Sequence, residues 1–360
     1  MSKLEMNIEQ FSRLVVEAAH ELSQIMDVSI KQQAKDLIKT AIGRSVRSKD
    51  PMFWPAGMLM LGLAEARKTL AGSGSILPSD PGLVKQIDET IEAHVTMWRD
   101  QYGSKVDFVD DSLAGAALVK MYAQTGKELY KEATDKIYEF VMAAPRDPEG
   151  AIIYNPGKGN SNIFVDGIGQ SVMFLSAYGR AFDKTEALSL AKMQLSNFRK
   201  YGMDERSGLC YHGYCLGNGK EIEKKGLLGW GRAMGWLMMG LSEYCSGNVE
   251  METASWYSNL CGIVESYVRP NGGFSWQVQA VDGHIDTSAT GMLLYSLLAA
   301  GDGKNAVSGL QALLSNADDN GSVGNALSSC DDFGVHYQTY GHYPWGQGAA
   351  LAAISRGLCI

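Results

Sequence analysis

Carboxylate, aromatic and amide side chains occur together at several distant points of this sequence. Asp110, Asp111 and Asp166 are carboxylates, a residue type that can donate or accept a proton in catalysis. The aromatic and amide side chains of interest are Trp54, Trp230, Trp236, Trp276, Gln277 and Trp345. Pyranose C–H faces stack on aromatic rings, whereas sugar hydroxyls bind polar groups. The combination therefore indicates a carbohydrate site.

Arg232 opens an unusual stretch of the chain. The next charged residue after it is Glu243, so ten consecutive uncharged positions follow. Such a stretch has no face suited to water and predicts a helix covered on all sides. The first turn of a helix has free N–H groups and a positive dipole end, which suit anionic ligands. We therefore expect Trp230 and Arg232 at the site, with Arg232 binding a substrate carboxylate or holding an acidic side chain.

Each candidate also has a purely structural interpretation. Aspartate is a preferred helix N-cap worth about 1 kcal/mol, which alone would explain Asp111 or Asp286. The aromatic residues could equally pack as core. His212 lies in the polar sequence Cys-Tyr-His-Gly-Tyr, where lining the site and a structural role are both open. Cys210, His212 and Cys215 lack a second ligand pair at zinc-finger spacing, so we expect no metal site there.

Two kinds of predicted helix alternate along the chain. Amphipathic segments span 8–26, 83–98, 128–142, 185–198, 252–268 and 306–314, with a polar connector after the first. The other segments are free of charge, apart from Asp111 at the start of the second and Arg232 near the start of the fourth: 51–64, 111–119, 167–179, 229–241, 287–300 and 346–355. An amphipathic helix keeps one wet face, whereas a charge-free helix must be surrounded by protein.

The charge-free segments recur with a period near 58 residues. They begin near Trp54, Asp111, Asp166, Trp230, Asp286 and Trp345, at intervals of 57, 55, 64, 56 and 59 residues. One buried and one amphipathic helix per repeat make a helical hairpin, and six such hairpins closing on themselves make an (α/α)6 barrel. An open solenoid would need polar terminal repeats, which the last segment lacks. We predict an all-α, single-domain barrel over residues 1–360.

A closed barrel of this kind fixes where the candidate residues lie. All six inner helices run in the same direction, so their first turns share one end, and that end collects the aspartates and indoles. Glycine costs about 1 kcal/mol inside a helix relative to alanine. Gly235 and Gly240 therefore suggest close approach of neighbouring backbones.

Composition narrows the class of protein. The chain has 360 residues, 45% of them apolar, and a net charge of −8 without a basic run, which argues against a nucleic-acid partner. No uncharged apolar run reaches 18 residues, and the N-terminus lacks a signal-like pattern, so we expect a cytoplasmic protein without membrane contact. The six cysteines include no CxxC pair and are expected to be reduced. The sequence does not indicate an oligomeric state.

Six motifs resemble glycoside hydrolase family 105, with the related family 88 behind it, in the same order and spacing over most of the chain. They are Val109-Asp-Asp-Ser-Leu-Ala-Gly-Ala-Ala-Leu, Val165-Asp-Gly-Ile-Gly, Trp230-Gly-Arg-Ala-Met-Gly-Trp236, Trp276-Gln-Val, Asp286-Thr-Ser-Ala-Thr-Gly-Met292 and Trp345-Gly-Gln-Gly348. Each motif is weak singly, but six in order are specific. The resemblance implies an (α/α)6 barrel that removes a 4,5-unsaturated uronic acid from lyase-generated oligosaccharides.

The resemblance also implies a mechanism and roles. Hydration of the C4=C5 double bond replaces attack at the anomeric carbon, and neither metal nor cofactor is required. Asp166 matches the proton donor, and Asp110 or Asp111 matches a second carboxylate that positions the donor and water. The chain departs from the family at Met234, where asparagine is frequent, and at Asp286, where glutamate is frequent. Phe164 also replaces a frequent indole, so the sugar specificity stays open.

Other functions are compatible with the same residues. An inverting glycosidase would use two carboxylates around an ordinary glycosidic bond. A sugar epimerase on this barrel would require histidines at the mouth, for which His212 and His342 are available. A non-catalytic carbohydrate-binding barrel is the alternative outside enzymes, although Asp110, Asp111 and Asp166 argue against it.

Overall fold

The computed structural model describes residues 6–27, 50–72, 74–158, 161–216, 221–247, 249–301, 305–330, 333 and 337–359. Most of the polar connector predicted after residue 26 lies outside these residues. Helices dominate the described chain, and each outer helix is followed by an inner one. The outer helices are α1 (Ile8–Gln24), α3 (Pro81–Tyr102), α5 (Glu128–Ala143), α7 (Thr185–Tyr201), α9 (Met251–Glu265) and α11 (Ala306–Leu314).

The inner helices form a closed ring. They are α2 (Trp54–Ala71), α4 (Ser112–Thr125), α6 (Val165–Ala181), α8 (Gly231–Cys245), α10 (Thr287–Ala299) and α12 (Pro344–Gly357). Each packs against the next along the chain, and α12 packs against α2. The predicted (α/α)6 barrel is therefore confirmed, and the open solenoid is excluded. The six inner helices begin within one residue of the predicted positions, because burial on all sides leaves a run without charge that begins close to each start.

Glycines bring α6 and α8 into backbone contact. A Cβ atom built on Gly240 would lie 2.9 Å from the carbonyl oxygen of Gly169, and one built on Gly169 would lie 2.2 Å from the carbonyl oxygen of Trp236. A Cβ on Gly235 would lie 2.8 Å from the Cβ of Met292. The close backbone approach expected at Gly240 is confirmed, whereas Gly235 packs against the side chain of Met292 rather than against a neighbouring backbone.

Short strands at the ends of the inner helices supplement the helical fold. β1 (Asn162–Phe164), β2 (Gly213–Leu216) and β3 (Ile222–Lys225) form an antiparallel sheet in which Ile163 pairs with Tyr214. β4 (Ala326–Leu327) pairs with β5 (Tyr340–Gly341) shortly before α12. The sequence analysis did not predict these strands, because two to four residues are too few to show an alternating pattern.

Two further expectations concern the whole chain. All six cysteines are among the described residues, and none forms a disulfide, as expected. In the described part of the chain, no helix is both long enough and apolar enough to cross a membrane.

Candidate active site

A polar cavity of about 210 Å³ opens where the inner helices begin. Its walls are Trp54, Tyr154, Asn155, Asn162, Phe164, Asp166, Gln170, His212, Trp230, Arg232, Trp236, Ser329 and Cys330. Six of the predicted site residues are among them: Trp54, Asp166, His212, Trp230, Arg232 and Trp236. The barrel therefore brings a carboxylate, an imidazole, a guanidinium and three indoles to one cavity.

Asp166 and His212 lie next to each other in the wall of this cavity. The Nε2 atom of His212 lies 3.0 Å from the Oδ2 atom of Asp166, and the Asp166 side chain is 16% exposed whereas that of His212 is 1% exposed. The backbone fixes this geometry: the N–H of Val165 donates to the carbonyl oxygen of His212 at 3.0 Å, next to the pairing of β1 with β2. The carboxylate is therefore held rigidly while one side stays accessible from the cavity.

Asp110 lies behind Tyr154, outside the residues that line the cavity. The Tyr154 hydroxyl donates to Asp110 Oδ2 at 2.6 Å. Burial raises the pKa of Asp110 to about 7, the Tyr154 hydrogen bond opposes this shift, and the negative charge of Asp166 adds to it. Asp110 is therefore a carboxyl group that keeps its proton to near-neutral pH and interacts electrostatically with Asp166.

The neighbouring Asp111 is fully buried and turned towards its own loop. Its Oδ2 atom accepts the backbone N–H groups of Asp107 at 3.0 Å and Phe108 at 3.4 Å. Burial and the Asp50 carboxylate raise the pKa of Asp111 well above its usual value. Of the two adjacent aspartates, Asp110 is the one joined to a cavity-lining side chain.

Arg232 lines the cavity and also forms hydrogen bonds that hold a neighbouring chain segment in place. Its guanidinium donates to the carbonyl oxygens of Leu327 at 2.7 Å and Ser328 at 2.8 Å, lies 3.9 Å from Asp286, and sits over the Trp230 ring. The second of the two predicted functions, holding an acidic side chain, is compatible with this environment. The guanidinium has five N–H donors in all, and Arg232 is also one of the residues that line the cavity.

Residues 28–357 match the family model described as Glycosyl Hydrolase Family 88. The chain belongs to this family. It is therefore a member of a family of glycosidases, and the resemblance to families 105 and 88 is confirmed.

Solved structures share the fold of this family 88 protein. It is similar to a possible member of glycoside hydrolase family 105 from Klebsiella pneumoniae, with a TM-score of 0.80, 14% identity and coverage of 99% of this chain and 95% of the other. It is also similar to an unsaturated glucuronyl hydrolase specific for heparin, with a TM-score of 0.72, 15% identity and coverage of 97% and 96%. An unsaturated glucuronyl hydrolase from Bacillus sp. GL1, responsible for glycosaminoglycan degradation, gives a TM-score of 0.69, 15% identity and coverage of 95% and 96%.

In this family 88 protein Asp286 caps a helix. Its Oδ1 atom accepts the backbone N–H of Ser288 at 2.9 Å and that of Leu327 at 3.1 Å, and the side chain is completely buried. The capping interpretation is therefore observed. Asp286 additionally joins the start of α10 to the chain segment that Arg232 holds.

Trp345 was predicted to bind substrate but lies behind the cavity wall. Its ring centroid is 4.9 Å from that of Trp54, and its Nε1 donates to the carbonyl oxygen of Leu327 at 2.9 Å. The side chain is 9% exposed. Trp345 therefore supports the indole of Trp54 from behind rather than lining the cavity itself.

Trp276 and Gln277 also lie outside the lining residues. The carbonyl oxygen of Trp276 accepts the N–H of Gly231 at 2.6 Å, and the Gln277 side chain donates to the carbonyl oxygen of Leu228 at 3.1 Å. Both contacts hold the chain on either side of Trp230. Their placement makes them supports for the start of α8.

Several cavity residues were missed by the sequence analysis. Gln170 is one helical turn after Asp166 on α6, so the spacing of four alone could have identified it. The others lie in irregular segments or a short strand, where no periodicity predicts direction: Tyr154, Asn155, Asn162, Ser329 and Cys330.

Proposed function

We propose that this protein removes a 4,5-unsaturated uronic acid from the non-reducing end of lyase-generated oligosaccharides by hydrating the C4=C5 double bond. The observation that carries the proposal is the Asp166 carboxylate, exposed to the cavity and held 3.0 Å from His212. Membership of family 88 and the likeness to unsaturated glucuronyl hydrolases support the same chemistry.

In the proposed reaction Asp166 protonates C4 of the enol ether. The π electrons form the new C–H bond, and positive charge develops at C5 and the ring oxygen. Water then adds at C5 and loses a proton to the Asp166 carboxylate, which restores the acid. The resulting hemiketal opens and expels the remaining sugar, so the overall reaction consumes one water molecule.

The proposed reaction also assigns a role to a second carboxyl group, that of Asp110. The charge of Asp166 contributes to raising the pKa of Asp110 to about 7, which means that the two groups interact. We therefore propose that Asp110, held by Tyr154, is the second carboxylate, which helps to position the donor and the water.

The rest of the cavity has the composition that a uronic acid requires. Trp54, Trp230 and Trp236 offer aromatic surface for the sugar ring. Arg232 and His212 offer hydrogen-bond donors for the carboxylate of the uronate. The same cavity is compatible with rhamnose, glucose or an amino sugar as the leaving group.

A panel of unsaturated disaccharides tests the proposal, with their saturated counterparts as controls. The expected result is loss of the enol-ether ultraviolet absorbance only with unsaturated substrates. In heavy water, protonation must place one deuterium on C4 of the released keto acid. Turnover of saturated disaccharides without label at C4 would overturn the hydration mechanism and favour an inverting glycosidase.

A further inference from the structure

A cluster of metal-ligating side chains joins the N-terminal helix to the other end of the chain. Glu17 and Glu21 are one turn apart on α1, and His342 precedes α12 by two residues. One ligand atom from each residue lies within 4.8 Å of the other two. We propose that Glu17, Glu21 and His342 form a binding site for a divalent transition-metal ion of the Zn²⁺ type.

The His342 ring is oriented for this role by a group outside the cluster. Its Nδ1 atom donates to the carbonyl oxygen of Val323 at 3.0 Å, which directs Nε2 at the two carboxylates. Nε2 lies 2.8 Å from Glu21 Oε1 and 3.6 Å from Glu17 Oε1. A metal-bound histidine characteristically donates its other N–H to a backbone carbonyl in this way.

The two carboxylate groups also have features that favour the binding of an ion. The Ser322 hydroxyl donates to Glu17 Oε1 at 3.0 Å, which orients that group from outside the cluster. Glu21 Oε2 is buried without a hydrogen-bond partner, so it has lone pairs available.

The spacing fits a small tetrahedral ion. Zn–N and Zn–O bonds of about 2.0–2.2 Å place neighbouring ligand atoms roughly 3.3 Å apart. The distances from Nε2 of 2.8 and 3.6 Å lie on either side of this value, and the two carboxylate oxygens lie within 4.8 Å of each other.

The ligand set favours Zn²⁺ over Ca²⁺ or Mg²⁺. Imidazole nitrogen suits zinc and similar transition metals, whereas the harder cations take oxygen ligands. Three protein ligands leave a fourth position for water, and the His342 side chain is 32% exposed, which gives an ion access.

A bound ion would strengthen the connection between α1 and the segment that joins α11 to α12. That segment carries Ser322 and Val323 and continues to Leu327, whose carbonyl oxygen holds Arg232. The site lies outside the cavity-lining residues, so its role is structural, and it does not depend on the proposed activity.

Titration of the metal-stripped full-length protein with Zn²⁺, and separately with Co²⁺, tests the site. We expect one equivalent to bind, the melting temperature to rise by a few degrees, and Co²⁺ to give tetrahedral d–d absorption without thiolate charge transfer. His342→Ala and Glu21→Gln should lose the binding. His20→Ala is the matched control, because His20 is exposed on the same helix, and it should bind as the parent does.

Three results would overturn the proposal: no saturable binding, thiolate charge-transfer bands that assign the ion to cysteines, or unchanged binding by His342→Ala. Circular dichroism checks that each variant is folded. If His342→Ala does not fold, the nearly isosteric Glu17→Gln replaces it, with an expected loss of affinity of at least about tenfold. Unchanged affinity in folded Glu17→Gln and Glu21→Gln would equally contradict the site.

Discussion

Asp166 combines a cavity position with a hydrogen bond to His212 that does not require a negative charge. Asp166→Asn should therefore leave the fold intact, since an amide can also pair with the imidazole, and the lost helix-dipole interaction is worth about 0.3–1 kcal/mol. Loss of the proton donor should reduce turnover of an unsaturated disaccharide by about 10²–10⁴-fold. Steady-state ultraviolet assays and urea unfolding of the same samples separate the two effects.

Asp107→Asn is the matched control for Asp166→Asn. The Asp107 carboxylate pairs with Lys105 and is not among the residues that line the cavity. Activity close to that of the parent is expected for this variant. Equal activity of Asp166→Asn and Asp107→Asn would refute the donor role and leave Asp166 as a structural residue.

The raised pKa of Asp110 predicts how the free energy of unfolding depends on pH. Its pKa of about 7 in the folded protein exceeds the ordinary value of 3.8, so between these values the folded state holds a proton that the unfolded state has released. The free energy of unfolding should fall as pH rises from about 4 to 7 and then level off. The contribution is up to about 4 kcal/mol, at about 1.4 kcal/mol per unit.

Asp110→Asn removes the titration of this carboxyl group. Urea unfolding of both proteins between pH 4 and 8 should give a difference in stability that grows in favour of the variant until about pH 7. Parallel curves for the two proteins would mean that Asp110 ionises normally in the folded state.

The helices were the most predictable elements, and the reason is physical. An inner helix contacts protein on all sides, so its sequence contains a run of residues without charge. This run allowed the start of each inner helix to be predicted within one residue. Segments such as 152–158 and 326–330 show no such run, because their direction depends on individual backbone contacts. Asp166 could be predicted because it starts a helix, whereas Tyr154, in an irregular segment, could not.

Backbone contact between α6 and α8 makes Gly240 sensitive to a single methyl group. The added Cβ of Gly240→Ala would lie 2.9 Å from the carbonyl oxygen of Gly169, and main-chain atoms cannot rotate away as side chains can. We expect a loss of about 1–3 kcal/mol in the free energy of unfolding. Gly262→Ala on α9 is the control, since no atom lies within 4 Å of its Cβ position. Removing that glycine should stabilise the protein by about 0.5–1 kcal/mol, and equal effects at both positions would contradict the packing.

At the scale of the whole barrel, each inner helix contributes one polar residue to a buried network near its C-terminal end. The members are Glu65, Lys120, Arg180, Glu243, Tyr295 and Arg356. Lys120 lies 3.0 Å from Glu243 and 3.4 Å from Glu65, while Arg356 of the last helix lies 3.4 Å from Glu65 of the first. The charges that end the uncharged runs were visible in the sequence, but their pairing required knowing that the ring closes.

Lys120→Met tests how far this network stabilises the closed barrel. Although burial opposes it, Lys120 and Arg356 lower the pKa of Glu65 to about 2, so Glu65 contributes stability above pH 4.5 that is lost as pH falls towards 2. Without Lys120, Glu65 and Glu243 lose their shared partner, and the free energy of unfolding should fall by about 3–5 kcal/mol.

The comparison for Lys120→Met is Lys85→Met, which breaks an exposed pair with Glu89 and should cost no more than about 1 kcal/mol. Urea unfolding at pH 7 measures both costs. Repetition at pH 4 adds a second criterion: the stability difference between Lys120→Met and the parent should shrink, because the two glutamates become easier to protonate once the lysine is gone. A Lys120→Met variant no less stable than Lys85→Met would show that the barrel closes through apolar packing alone, with the charged network contributing nothing measurable.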